Sequence, residues 1–178
     1  SAVADGIPVI TMNSGLEASA ELGALMHVGQ PERLAGQKAG ERAAAEGVTN
    51  GLCLNQEAFN TALVDRCTGY FEGVGGDLNM IDVSNDPAQI ETRTAAALQA
   101  DASIDGVLAV GPHVCEAANR AIEEVGADVH LACFDLSPGV MDMIQAGDAA
   151  FTIDQQQRLQ GYMPVIVLHL YNTGAGLL

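Results

Sequence analysis

Side chains that can exchange hydrogen bonds with a small polar ligand recur just after short apolar runs of this sequence. They comprise amides, one imidazole, one carboxylate and one guanidinium, and the candidates are Asn13, Gln30, Asn55, Asn60, Arg66, His113, Asp135 and Gln155. A carboxylate accepts hydrogen bonds, a guanidinium donates them in a fork, and an amide does both. Because a hydroxyl group is both donor and acceptor, this mixture is typical of a site for a polyhydroxylated molecule.

Several of these residues also have a purely structural interpretation. Asn13 and Asn55 could be turn residues that satisfy their own backbone, and Asp135 could cap a helix. Arg66 could be a solvated arginine paired with Asp65. Only their joint placement after predicted strands favours a binding site.

The four cysteines, Cys53, Cys67, Cys115 and Cys133, form no C-x-x-C pair and have no histidine at zinc-finger spacing, so a structural metal is not expected. Cys53 lies in a predicted strand and Cys67 in the helix that should pack beside it. In an oxidising compartment these two could form a disulfide, and the alternative is buried free thiols that act as small hydrophobes.

Motifs for catalysis or for nucleotide cofactors are missing from the sequence. There is no G-x-S-x-G elbow, no Walker loop and no G-x-G-x-x-G after a strand, and Gly73–Gly76 closes a predicted helix rather than opening one. We therefore expect neither an enzyme nor a cofactor.

Six short apolar runs predict the strands that must position these candidates. The runs are continuous rather than alternating, which favours parallel strands covered on both faces. They are Ile7–Met12, Gly51–Leu54, Leu78–Val83, Gly106–Val110, Val129–Phe134 and Ala149–Ile153.

Helical segments with clear start signals lie between these runs. Pro31 opens one segment, and Asp86-Pro87 and Ser137-Pro138 combine a cap with a first-turn proline. Regular alternation of strand and helix predicts an α/β fold with a doubly wound parallel sheet. In such sheets ligands bind beyond the carboxyl ends of the strands, where the candidates lie.

Charge and hydropathy exclude several classes of partner. The net charge is −16 and Lys38 is the only lysine, so binding to nucleic acid or to an anionic membrane is not expected. The most apolar stretch, Tyr162–Tyr171, has about half the length of a membrane span. No signal peptide is visible, so an export signal would have been cleaved or lie outside this sequence.

An ordered set of stretches resembles type I periplasmic sugar-binding proteins of the ribose-binding group, whose lobes also form the effector domain of lactose-repressor-like regulators. The stretches are GIPVITMNSG, HVGQPERLAGQKAGE, DRCTGYFEG, DGVLAVG, ACFDLSPGVMDMIQAG and AAFTIDQQQRLQGY. The resemblance implies an extracytoplasmic protein that closes two lobes on a sugar or cyclitol and delivers it to the membrane permease of an ABC importer.

The resemblance also implies roles for individual residues. Arg66 matches the family's sugar-binding arginine, Asp135 its hydroxyl-accepting aspartate, and Gln155 its glutamine near the hinge. Asn13 stands where many members carry an aspartate. Gly111-Pro112 replaces a frequent Asn-Asp pair, so that amide contact is lost or is supplied by His113.

Domain boundaries follow from the same resemblance. Residues 1–26 would form the last strand of the N-terminal lobe and the crossover, residues 27–155 the C-terminal sugar-binding lobe, and residues 156–178 the return helix. Both ends look cut, so the protein is expected to continue in both directions. The alternative function is the effector domain of a regulator, which would need a DNA-binding segment upstream.

Overall fold

The computed structural model describes residues 1–174. Contacts divide the chain into unit 1, which comprises Ser1–Pro31 and Gln155–Leu178, and unit 2, which comprises Glu32–Asp154. In chain order the elements are β1 (Ile10–Met12), α1 (Leu16–Ser19), β2 (Met26–Val28), α2 (Glu32–Ala45), β3 (Gly51–Asn55), α3 (Thr61–Val74), β4 (Met80–Asp82), α4 (Pro87–Ala100), β5 (Gly106–Ala109), α5 (Pro112–Val125), β6 (His130–Phe134), α6 (Pro138–Ala146), β7 (Phe151–Ile153) and α7 (Gln157–Asn172).

Unit 2 is a doubly wound α/β unit, as the sequence predicts. Its strands are all parallel and lie in the order β4-β3-β5-β6-β7. The chain passes from β3 outward to β4, then returns to β5 on the other side of β3 and continues through β6 to β7. The order therefore reverses between β3 and β5, and this is the switch point where ligands bind in such sheets.

Unit 1 contains a two-stranded parallel sheet of β1 and β2, which contacts α7. The strand β2 was not predicted, because the segment around His27 shows no apolar run. The segment is nevertheless a strand because it pairs with β1, with Thr11 opposite His27.

Apolar side chains cover both faces of the sheet in unit 2. Leu52 and Leu54 of β3 belong to one core with α4 and α5, whereas Cys53 between them belongs to the other core with α2 and α3. Successive side chains of a strand point to opposite faces, so a strand buried on both faces must be apolar throughout. This explains why the runs are continuous.

Each core contains one disulfide that joins a strand to a covering helix. The predicted Cys53–Cys67 bond is confirmed and links β3 to α3, with Cα atoms 5.6 Å apart. A second bond, Cys115–Cys133, links α5 to β6 across 5.8 Å. It was not predicted, because only the strand order shows that these two segments pack together.

Reduction of the two disulfides should lower the free energy of unfolding. The bonds close loops of 14 and 18 residues, and loops of this length stabilise by about 3 kcal/mol each. Urea unfolding should therefore show a loss of about 3 kcal/mol in the Cys53→Ala/Cys67→Ala variant and a similar loss in Cys115→Ala/Cys133→Ala. Each variant keeps the other bond and serves as its control. Alkylation of all four cysteines in the denatured, unreduced protein would contradict both bonds.

Candidate ligand-binding site

The carboxyl ends of β3 and β5 lie side by side, with Leu54 opposite Ala109. The helices that follow them cover opposite faces of the sheet, since α3 packs in one core and α5 in the other. Divergence of the two connections leaves a crevice at the sheet edge.

Arg66 is a buried residue, and its charge is paired. Its side chain donates to the Glu32 carboxylate from Nε at 2.7 Å and from Nη2 at 3.0 Å. Arg66 is 3% exposed and Glu32 8%. This geometry rules out the alternative of a solvated arginine on the surface.

The same guanidinium also reaches the carboxyl ends of two strands. Its Nη1 donates to the carbonyl oxygen of Val110, directly after β5, at 3.0 Å. Its Cζ lies 4.5 Å from the ring centroid of Phe134, the last residue of β6. Arg66 thus connects α2 and α3 with the edge of the sheet where a ligand would bind.

Glycines allow α2 and α3 to approach closely enough for this ion pair. A Cβ atom at Gly36 would collide with the carbonyl oxygen of Arg66, and one at Gly69 would collide with that of Arg33. Gly40 and Gly73 are equally enclosed by the backbone of the facing helix. Both helices carry a G-x-x-x-G spacing, which was a signal for this contact in the sequence. Glu32 was not among the predicted site residues, because in the sequence it looks like an ordinary acidic residue in a first helical turn.

Three polar residues, Gln56, Asn85 and His113, follow the ends of the neighbouring strands β3, β4 and β5. The ring Nε2 of His113 lies 3.0 Å from Oδ1 of Asn85, which follows β4. The Gln56 amide, which follows β3, approaches Gly111 directly after β5. Of the three, the sequence singled out only His113.

Asn55 and Asn60 both form local hydrogen bonds that complete the backbone. Asn55 is fully buried, and its Oδ1 accepts from the backbone N–H of Glu57 at 3.0 Å. Its interpretation as a turn residue is therefore the one that fits. Asn60 caps α3 by accepting from the N–H of Ala62 at 3.1 Å, and it donates to the Glu57 carboxylate at 2.8 Å.

Asp135 follows β6 with a left-handed backbone, φ 69°. Its N–H donates to the carbonyl of Ile153 at 2.8 Å, and its own carbonyl accepts from the Thr152 hydroxyl at 2.6 Å. The cap of α6 is Ser137, which accepts from the N–H of Val140 at 3.0 Å. The alternative of Asp135 as a helix cap is thus ruled out, and its half-buried carboxyl lies at the carboxyl end of the sheet.

The remaining candidates, Asn13, Gln30 and Gln155, belong to unit 1. Asn13 follows β1 with φ 64°, and its Nδ2 donates to Oε1 of Gln155 at 3.2 Å and to Oε1 of Gln160 at 3.3 Å. Gln160 in turn donates to the backbone carbonyl of Gln155 at 2.7 Å. The structure therefore joins Asn13 and Gln155 by a side-chain hydrogen bond, and Gln160 bonds to both residues. Gln30, directly before Pro31, is half-buried.

Two negative observations concern the described residues only. From residue 1 to residue 174, no three His, Cys, Asp or Glu side chains are placed to hold a metal ion. Within the same range, no helix has the length and hydropathy needed to cross a membrane.

Comparison with known families gives one match over nearly the whole chain. The family described as "Periplasmic binding protein domain" matches residues 1–175. No curated protein sequence matches.

Solved structures include many similar folds. A carbohydrate transporter from Acidothermus cellulolyticus 11B, in complex with myo-inositol, is 38% identical, with a TM-score of 0.92 over 97% of this chain and 60% of that one. A periplasmic sugar-binding protein of an ABC sugar transporter from Legionella pneumophila shares 22% identity, with a TM-score of 0.88 over 96% of this chain and 66% of that one.

A third similar structure is a periplasmic solute-binding protein of an ABC transporter from Actinobacillus succinogenes 130z, with bound D-allose. It shares 20% identity, with a TM-score of 0.83 over 96% of this chain and 65% of that one. The chain thus spans 60% to 66% of the length of these three proteins.

Proposed function

Because the chain belongs to the periplasmic binding protein family of sugar-binding, extracytoplasmic proteins, we propose that it serves an ABC-type importer as the component that binds an uncharged monosaccharide or cyclitol. The observation that carries this proposal is the 38% identity to a carbohydrate transporter solved with myo-inositol. The membrane partner is then the permease of the importer. The protein performs no chemistry on its ligand.

The polar groups at the carboxyl edge of unit 2 suit hydroxyl groups. Asp135 is the acceptor, and His113 can either donate or accept, depending on the ring nitrogen that carries the proton. Each hydrogen bond of this kind contributes about 0.5–1.5 kcal/mol net, so a ligand must make several of them. Arg66 is a positioning residue in this proposal, because it holds Val110 and Phe134 at the strand ends. The direct sugar contact that the resemblance implies for Arg66 stays a prediction.

Charge favours a neutral ligand over an anionic one. The buried guanidinium of Arg66 is paired with Glu32 by two hydrogen bonds, so its positive charge is already balanced. The only lysine, Lys38, is exposed and forms an ion pair with Glu41. With a net charge of −16, the surface repels phosphorylated or acidic sugars.

The two disulfides support an exported binding protein over the effector domain of a regulator. Disulfides persist in oxidising compartments and are rare in the cytosol, where regulators act. Both bonds lie in the cores of unit 2.

Thermal unfolding of the full-length gene product tests the proposal. We expect myo-inositol or one monosaccharide to raise the melting temperature in proportion to the logarithm of its concentration, because a ligand at 100 times its Kd stabilises by about 2.7 kcal/mol. The matched acids and phosphates, such as D-glucuronate beside D-glucose, should give no rise. A rise with the anion alone would contradict the assignment of a neutral ligand, and no rise with any polyol would contradict sugar binding.

A further inference from the structure

The position of Gly111 is constrained by space rather than by backbone conformation. Its φ is −163° and its ψ 158°, an extended geometry that any residue adopts. A Cβ atom there would lie 2.9 Å from Nε2 of Gln56 and 3.6 Å from Cε1 of His113. Because 2.9 Å is too short for such a contact, the Gln56 amide would have to shift if residue 111 carried a side chain. Glycine at position 111 therefore leaves room for the side chain of Gln56.

The side chain of Gln56 occupies this space and has one polar atom without a partner among the described residues. Its Oε1 is buried and accepts no hydrogen bond from the described residues. Buried carbonyl oxygens are nearly always paired in native proteins, so an unpaired one requires an explanation. Gln56 directly follows β3 at the switch point, where a ligand is expected, and a bound hydroxyl group would satisfy the acceptor.

The neighbours of Gln56 favour the same kind of ligand. The ring of His113 lies within hydrogen-bond distance of Asn85, and both are polar groups that follow the strands on either side of β3. The side-chain oxygen of Asn55, the preceding amide, already accepts from the N–H of Glu57.

We infer that Gln56 is a specificity-determining ligand contact whose side-chain carbonyl accepts a hydroxyl of the polyol, and that Gly111 keeps this amide in place. The inference rests on the proposed function and adds a residue to its site. It predicts that a ligand without a hydroxyl at this point binds more weakly.

Calorimetric titration of the full-length protein with the polyol identified by thermal unfolding, or with myo-inositol, tests the inference. Gln56→Met keeps the length of the side chain and removes the acceptor, which leaves the ligand hydroxyl buried without a partner, so we expect affinity to fall about fivefold to a hundredfold. The ligand-free variant should be at least as stable as the parent protein, because an unsatisfied carbonyl has been removed. A residue with a merely structural role would instead lose stability.

Gly111→Ala provides the second variant, because the added methyl group displaces the Gln56 amide. Affinity should fall by a similar factor in the parent protein, yet by less than about twofold in the Gln56→Met background. Gly76→Ala is the control, since a Cβ atom there meets open space. If the parent protein binds the polyol and both single variants bind within twofold of it, the inference is wrong while the proposed function stands. If the parent protein binds no polyol, the proposed function and the inference both fail.

Discussion

Replacing Arg66 with alanine should lower the free energy of unfolding by about 3–5 kcal/mol, because the buried Glu32 carboxylate would lose the guanidinium that balances its charge. Both residues are more than nine-tenths buried, and two hydrogen bonds join them. The cost comes from desolvation of the remaining charge. Urea unfolding followed by circular dichroism measures this loss in the free energy of unfolding.

The matched control removes both charges together. Arg66→Met with Glu32→Leu replaces the pair by apolar side chains of similar length, and such replacements are often neutral or stabilising. We expect the double variant to recover most of the stability lost in Arg66→Ala. Equal losses in the single and double variants would show that the lost stability comes from other contacts of the guanidinium, such as those with Val110 and the Phe134 ring, and not from the charge left on Glu32.

Gly69→Ala should be the second strongly destabilising change, with a loss of about 3 kcal/mol in the free energy of unfolding. Alanine improves the intrinsic stability of a helix by about 1 kcal/mol, but here its methyl group would overlap the backbone of Arg33 and Gln37 in α2. A backbone cannot move aside as a flexible side chain can. We therefore expect α2 and α3 to move apart in the variant, and this movement would weaken the ion pair between Glu32 and Arg66.

Gly161→Ala is the matched control for this variant. Gly161 is also a helical glycine, in α7, and a Cβ atom there meets nothing within 4 Å. We expect this substitution to be neutral or to stabilise the protein by up to about 1 kcal/mol. If Gly69→Ala behaves in the same way, the close approach of α2 and α3 does not determine the packing of this face.

Both predictions concern helices α2 and α3, which support the edge of the sheet where a ligand is proposed to bind. The ion pair and the glycine contact fix α2 and α3, and through Val110 and Phe134 they reach the ends of β5 and β6. Cys67, next to Arg66, ties α3 to β3 on the same face. Binding sites of this kind need a rigid support, because a hydrogen-bonded ligand tolerates little displacement of its partners.

Local features of the sequence were enough to predict the fold of unit 2. Continuous apolar runs indicated strands buried on both faces, and caps such as Asp86 and Ser137 indicated where helices begin. Both caps form, with Asp86 accepting from the N–H of Ala88 at 2.9 Å. These signals act between residues close in sequence, so they can be recognised without knowledge of the strand order. The strand β2 escaped detection, because its few residues gain their stability from pairing with β1.

The candidate site could be predicted only in part. Because carboxyl ends of parallel strands meet at one edge, the sequence was sufficient to place Asp135 and His113 there. It did not distinguish ligand contacts from residues that complete the backbone, and Asn55 proved to be a turn residue. The types of residue suited to turns and caps are the same as those suited to hydroxyl groups, so composition could not separate the two uses.

What the sequence by itself determined is thus the class of fold and the strand ends at which the polar candidates lie. The tertiary structure alone decided that Glu32 pairs with Arg66, that Cys115 bonds to Cys133, and that Gln56 occupies the space beside Gly111. These partners are far apart in sequence and meet only through the strand order β4-β3-β5-β6-β7 and the packing of helices on it. Local propensities carry no information about such pairings, because the pairings depend on which surfaces the whole chain buries together.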